Sequence, residues 1–299
     1  MRDGRSLDPA SPQAPLTRAT LAREALDGAI VAIGAADRRP ISDASPRLDA
    51  ELLLAHVLGV SRERLLLDRD LAVEGPAVRA FQDAVRRRAI EREPLAYILG
   101  RRAFRRLELG CDRRALIPRP ETELLVEVAA ARLGRGARVL DVGTGSGAVA
   151  LALKDERPDL LVSASDVSAD ALALARANGE RLGLDVRWLQ ADLLDGVPDE
   201  HDAILANLPY VAESERGSLA AEILRHEPAG ALFAGPDGLA AIRPLIVQAA
   251  GRERVRALAL EVGAGQAPVV AGLMRAAGFH STHAERDLAG IERVVVGSR

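Results

Sequence analysis

The sequence is short of several residue types, and each shortage narrows what the chain can do. Its single cysteine, Cys111, excludes an intramolecular disulfide framework and a thiolate metal cluster. Five histidines, at positions 56, 201, 226, 280 and 283, are too scattered to form a ligand set, so no metal is expected. Lysine occurs once, at Lys154, and arginine supplies the remaining 39 basic residues. An excess of either charge is also missing: 40 Lys+Arg against 43 Asp+Glu leave −3, which gives no overall pull toward nucleic acid or anionic membrane. No run approaches the ~18–20 apolar residues of a membrane span, and residues 1–15 lack the apolar core of a signal peptide. A cytoplasmic protein with no membrane partner and no direct nucleic-acid binding is expected. The composition that remains, 48% hydrophobic and 28% charged, suits a folded core. At roughly 100–200 residues per domain, 299 residues suggest two domains.

Charge divides the chain. Residues 1–115 hold 21 Arg and 17 acids, while 116–299 hold 18 Arg, one Lys and 26 acids, which supports a boundary near 95–115. Residues 1–15 read as a mobile tail, and 16–95 as a small helical bundle. Its helices are expected over 16–34, 46–58 (closed by Gly59) and 76–90, with Ser61 capping a shorter one. No strand-like run precedes position 95, and 96–115 reads as a linking hairpin carrying Phe104 and Leu107. Residues 84–115 contain ten Arg and four acids. A solvated face is the plainer account of that window, and a docking surface for an acidic partner the sharper one. From 137 onward, short apolar runs (137–142, 160–165, 186–190, 203–207, 255–262, 279–284, 293–297) alternate with helical stretches. The fold class is therefore α/β: a mostly parallel sheet with helices on both faces, ending in an antiparallel strand.

Leu140-Asp-Val-Gly-Thr-Gly-Ser-Gly-Ala148 lies between the first strand and first helix of this half. Gly143, Gly145 and Gly147, with Thr144 and Ser146 between them, allow a tight turn and let a ligand lie against bare backbone. Asp166 ends the second strand, where an acid can accept hydrogen bonds from both ribose hydroxyls. Alone, the G-x-G-x-G pattern fits any nucleotide cofactor, or a turn with no ligand. Asp141 tips the choice: a carboxylate before the turn repels a pyrophosphate but suits the ammonium and sulfonium of S-adenosylmethionine. Asp192, past the third strand, falls where the adenine end would lie.

The fourth strand ends in Asn207-Leu-Pro-Tyr210, at the carboxyl edge where open α/β sheets bind ligands. An amide nitrogen is a weak nucleophile because its lone pair is shared with the carbonyl. Accepting its two N–H bonds through the Asn207 side-chain oxygen and the Leu208 carbonyl would orient it and offset its developing charge. Tyr210 would stack on the flat amide or base. A proline-containing turn after a strand is the plainer account.

Together these residues resemble the release factor glutamine methyltransferases (PrmC/HemK), class I S-adenosylmethionine-dependent enzymes. Arg47-Leu-Asp-Ala-Glu-Leu-Leu-Leu-Ala-His56 resembles the family's helical domain, and residues 86–100 with Phe104 its linker hairpin. Leu116-Ile-Pro-Arg-Pro-Glu-Thr-Glu123 resembles its most specific segment. His226-Glu-Pro228, Gly235-Pro-Asp-Gly238, Glu261-Val-Gly263 and Gly290-Ile-Glu-Arg293 resemble later blocks. The resemblance implies a Rossmann-like methyltransferase domain over 116–299 and N5-methylation of the glutamine in the Gly-Gly-Gln loop of peptide chain release factors, with S-adenosylhomocysteine as product. It also implies a substrate-gripping helical domain; a monomer is expected. Asn207, Leu208, Pro209 and Tyr210 would be catalytic. Asp141, Gly143 to Gly147, Asp166, Asp192, Leu193, Asn207 and Phe104 would surround the cofactor. Two positions depart from the family: Leu208 replaces a usual proline, and Leu193 stands where relatives place an aromatic. The rival readings are a nucleic-acid adenine-N6 methyltransferase, which would need a basic target-recognition surface, and a non-catalytic S-adenosylmethionine-binding protein.

Overall fold

A computed structural model describes residues 20–35 and 45–299. The expected tail and the first residues of the expected helix 16–34 lie outside them. The chain divides into two compact units between Glu91 and Arg92. Among the described residues no helix is long and apolar enough to cross a membrane.

In the first unit, Thr20–Leu21 (β1) is followed by α1 (Ala22–Ala35), α2 (Pro46–Leu58), α3 (Arg62–Leu67), Ala72–Val73 (β2) and α4 (Pro76–Ala89). Antiparallel pairing of β1 with β2 corrects the expectation of no strand before 95; two residues are too few to show an alternating pattern. Helix α2 follows its sequence signals. Ser45 Oγ accepts from the Leu48 N–H, Pro46 opens the first turn, and Gly59 closes it at φ 65. Ser61 likewise accepts from the Arg64 N–H. Leu26, Ile33, Leu53, Leu54, Leu65 and Phe81 form the buried interior. Asp49 is buried with them because Arg88 bonds to it at 2.7 Å.

The second unit opens with α5 (Leu95–Leu99), so the expected hairpin 96–115 shrinks to β3 (Arg101–Phe104) and β4 (Leu107–Gly110). Pro94 and Gly100 (φ 69) bracket a five-residue helix too short to show a period. Phe104 and Leu109 are buried in the same core as α6 (Glu123–Arg132) and α7 (Ala148–Glu156). At least eight of the ten arginines in the basic window are ion-paired, among them Arg86, Arg88, Arg92, Arg101, Arg105, Arg106, Arg113 and Arg114. This pairing favours the plainer account of the window.

The strands β5 (Arg138–Val142), β6 (Leu161–Asp166), β7 (Arg187–Gln190), β8 (Ala203–Ala206), β9 (Ala257–Glu261), β10 (Ser281–Arg286) and β11 (Glu292–Ser298) form one sheet ordered β10-β11-β9-β8-β5-β6-β7. Strands β5 to β9 run parallel, and β11 is antiparallel to both β9 and β10. Alternate residues of β5, β8, β9 and β11 enter opposite cores. Val139, Leu205, Ala259 and Val294 face α6 and α7. Leu140, Val142, Ile204, Leu258 and Leu260 face α10 (Ile242–Ala250) and α11 (Ala267–Ala276). Burial on both faces explains why these strands read as continuous apolar runs. Two further helices, α8 (Ala169–Leu182) and α9 (Ala221–His226), complete the unit.

Strand order reverses beside β5, which pairs with β6 on one side and β8 on the other. Such a reversal opens a crevice at the carboxyl ends of the strands. Register fixes what meets there: Val142 is level with Ser165 and Ala206, and Ala206 with Leu260. The next residues, Gly143, Asp166, Asn207 and Glu261, therefore leave four neighbouring strands side by side.

Candidate active site

At this edge lies a cavity of about 390 Å³. The glycine loop, Asp166, Asp192, Leu193, Asn207, Leu208 and Pro209 contribute to its walls, together with Arg119 and Thr122 of the segment before α6. Of the expected site residues, Phe104 is corrected: it is 1% exposed, packed in the core, and outside the cavity wall. Tyr210 also lies behind the wall, its hydroxyl donating to Glu261 Oε1 at 3.3 Å.

The three loop glycines serve different purposes. All have positive φ (71°, 57° and 85°). A Cβ on Gly143 would stand 2.8 Å from Leu208 Cδ2, and one on Gly147 within 3.2 Å of Ala175 and Trp188. On Gly145 it would meet only Ala115, at 3.8 Å. The first and third glycines thus permit close packing within the protein, while the middle one is constrained chiefly by its backbone. The N–H groups of Gly143 and Thr144 donate to the Ser165 carbonyl, tying the turn to β6. Asp166 accepts from the Gly145 and Ser168 N–H groups, each at 2.9 Å. Asn178 ties Gly110 to this loop through the Ser146 carbonyl. No local pattern announces that contact, which spans 32 residues to the loop and 68 to the hairpin.

Asp141 is 2% exposed, and the Thr144 hydroxyl donates to it at 2.6 Å. Burial pushes its carboxyl up to about 7 against the opposing pull of that hydroxyl. A buried acid of this kind is stabilised by a ligand cation. Asp166, half-buried in the wall, retains lone pairs for hydroxyl donors. These two acids and the glycine turn fit S-adenosylmethionine, whose charge is positive at the amino acid end and whose ribose offers two hydroxyls. Asp192 is exposed at the rim. Leu193 beside it adopts φ 52, an uncommon conformation for a branched side chain, and lines the cavity.

Leu208 is 6% exposed and belongs to the core formed with α10 and α11. Side-chain packing thus restrains this turn where a ring would restrain a proline. The Asn207 Nδ2 group donates to Thr122 Oγ1 at 2.9 Å. Its amide nitrogen is committed to the protein, leaving Oδ1 as the acceptor available to a ligand.

Thr122 belongs to the 116–123 segment, whose place is set from afar. Glu227 accepts from the Ile117 N–H at 3.2 Å and from Arg119 Nη2 at 2.5 Å. Glu123 accepts from the Arg105 N–H at 2.9 Å. Glu261, 1% exposed at the end of β9, has its carboxyl pushed up to about 7 by burial. Tyr210 is held from several sides. Gln266 Nε2 donates to its carbonyl at 3.0 Å, and a Cβ on Gly238 would overlap that oxygen. Sequence reasoning left Glu227 and Glu261 without roles and did not single out Thr122; the only signal was their membership of family-like blocks.

Residues 35–100 match the PrmC N-terminal domain family, and residues 120–235 the Methyltransferase small domain family. A release factor glutamine methyltransferase of Deinococcus radiodurans is 42% identical over 258 residues, covering 85% of this chain and 92% of the relative. One from Bordetella pertussis is 46% identical over 257 residues, covering 84% and 94%. The solved hMettl16 catalytic domain, in complex with the MAT2A 3′UTR hairpin 6, is similar at TM-score 0.53 and 16% identity over 78% of this chain and 85% of that one, a likeness of fold alone. Identity at this level runs through both the helical and the methyltransferase regions, and the chain belongs to the release factor glutamine methyltransferase family.

Proposed function

We propose that this protein transfers a methyl group from S-adenosylmethionine to the side-chain amide nitrogen of glutamine in the Gly-Gly-Gln loop of peptide chain release factors, in the cytoplasm. The observation that carries the reading is Asn207 in the cavity wall with its nitrogen bonded to Thr122. A carboxamide anchored through its nitrogen keeps its oxygen free to accept, and an incoming NH2 group complements that oxygen.

When bound, the cofactor supplies an electrophilic methyl carbon on a sulfonium sulfur. Asp166 holds the ribose hydroxyls, Asp141 faces the amino acid end, and Leu193 packs against the adenine. Asn207 Oδ1 and the Leu208 carbonyl accept the two N–H bonds of the glutamine amide, turning its nitrogen toward the methyl group. Positive charge developing on that nitrogen is offset by the same two oxygens. The proton leaves once the nitrogen is cationic, so no strong base is required beforehand and catalysis is mainly alignment.

Incubation with labelled S-adenosylmethionine and a release factor tests the reading. Transfer is expected, and its disappearance when the loop glutamine is replaced. Transfer to DNA instead would favour adenine chemistry, and cofactor binding without transfer to either would favour a binding protein.

A further inference from the structure

The Asn207 carboxamide can face the cavity with either end, and only one end suits an NH2 group. Thr122 is 4% exposed and lies on the turn Pro120–Thr122 that opens α6. Its hydroxyl oxygen accepts from Asn207 Nδ2 at 2.9 Å. A hydroxyl carries a single proton, and with a lone pair engaged by Asn207 that proton must point elsewhere. Glu261 Oε1 already receives the Tyr210 hydroxyl, whereas Oε2 is buried and open to a donor. The Thr122 hydroxyl favours the ionised form of this carboxyl and is a donor that can turn to Oε2. When ionised, Glu261 would draw the hydroxyl proton toward its open Oε2 and leave the Thr122 lone pair toward Asn207.

We propose that Thr122, backed by Glu261, is the positioning residue of the amide clamp: it fixes which end of Asn207 faces the cavity and so selects glutamine over the isosteric glutamate. The proposal deepens the reaction proposed above and rests on it. A glutamate carboxylate has no N–H to donate and meets the acceptor oxygens of Asn207 and Leu208. A freed Asn207 can turn its nitrogen outward and donate to that carboxylate.

The test compares dissociation constants, in the presence of S-adenosylhomocysteine, for a release factor and its loop Gln→Glu variant. The wild-type enzyme should prefer glutamine by about 10- to 100-fold, the scale of leaving a buried polar group unpaired. Thr122→Val should narrow that ratio to within about threefold, while Thr122→Ser, which keeps the hydroxyl, should restore most of it. Cofactor affinity should be the same in all three. If the valine variant does not retain cofactor affinity, Thr122→Ala is read in its place. An unchanged ratio in the variant lacking the hydroxyl, or equal weakening of both substrates, would overturn the proposal. Absence of methyl transfer by the wild type would instead overturn the reaction reading, and the proposal with it.

Discussion

The two sides of the cavity that the proposed reaction assigns to cofactor and to substrate are built differently. The glycine turn is held largely by its own neighbourhood: Thr144 reaches Asp141 three residues away, and Gly145 reaches Asp166 at a separation of 21. The amide clamp is held by distant chain. Asn207 depends on Thr122 across 85 residues, Tyr210 on Glu261 across 51, and the strap carrying Thr122 on Glu227 across 110. A nucleotide site can be written in one short motif because backbone and one acid do most of the binding. An amide clamp needs a side chain in one orientation, and a buried orientation needs partners from several elements.

This contrast can be broken at either end. The largest effect is expected from Asn207→Ala, which should lower kcat by about 10²–10³-fold while leaving cofactor affinity within about twofold, as read by transfer kinetics and calorimetry. Equal loss of both would merge the two sides into one. Gly145→Val comes next. A β-branched residue at φ 57 is strained, and its side chain would enter the ligand space, so cofactor affinity should fall by about 10- to 100-fold. Unaltered affinity would refute the placement of the loop.

A smaller effect concerns pH. Asp141 is raised from 3.8 to about 7 by burial. Between those values the folded protein binds more protons than the unfolded chain, so this group's contribution to stability falls as pH rises and is flat above about 7. A cation at the amino acid end favours ionised Asp141, so cofactor affinity should rise with pH, by up to about tenfold per unit below 7, and level off above it. Asp141→Asn should flatten that dependence. Glu261 titrates in the same range, and persistence of the slope in the Asp141 variant would assign it there. The smallest effect is on stability: Glu227→Ala frees the Ile117 N–H and the Arg119 guanidinium, and should cost about 1–2 kcal/mol, seen as a fall of about 2–8 °C in Tm.

The sheet was legible because its central parallel strands β5, β8 and β9 are buried on both faces and read as apolar runs broken by helices. Glycines at 143, 145 and 147 announced the turn, and the two-face packing of β5 and β8 brought Asn207 to it. Short elements escaped notice. The two-residue pairing of Thr20–Leu21 with Ala72–Val73 has no period, and Leu95–Leu99 is little more than one turn. Phe104 was expected beside the cofactor through the family resemblance alone, and tertiary packing that no local pattern announces puts it in the core. Leu208 stands where the family usually has a proline; its place against Gly143 and in the α10–α11 core supplies a restraint that a ring would otherwise give. Thr122, Glu227 and Glu261 could be noticed as motif members but not given roles, since each acts through a partner more than fifty residues away.

Peptide mapping by mass spectrometry of a release factor treated with enzyme and S-adenosylmethionine tests the central claim most directly. One added methyl group on the Gly-Gly-Gln glutamine, absent when Asn207 is replaced by alanine, is the predicted result. A methyl group on any other residue, or an undiminished yield from the alanine variant, would contradict it.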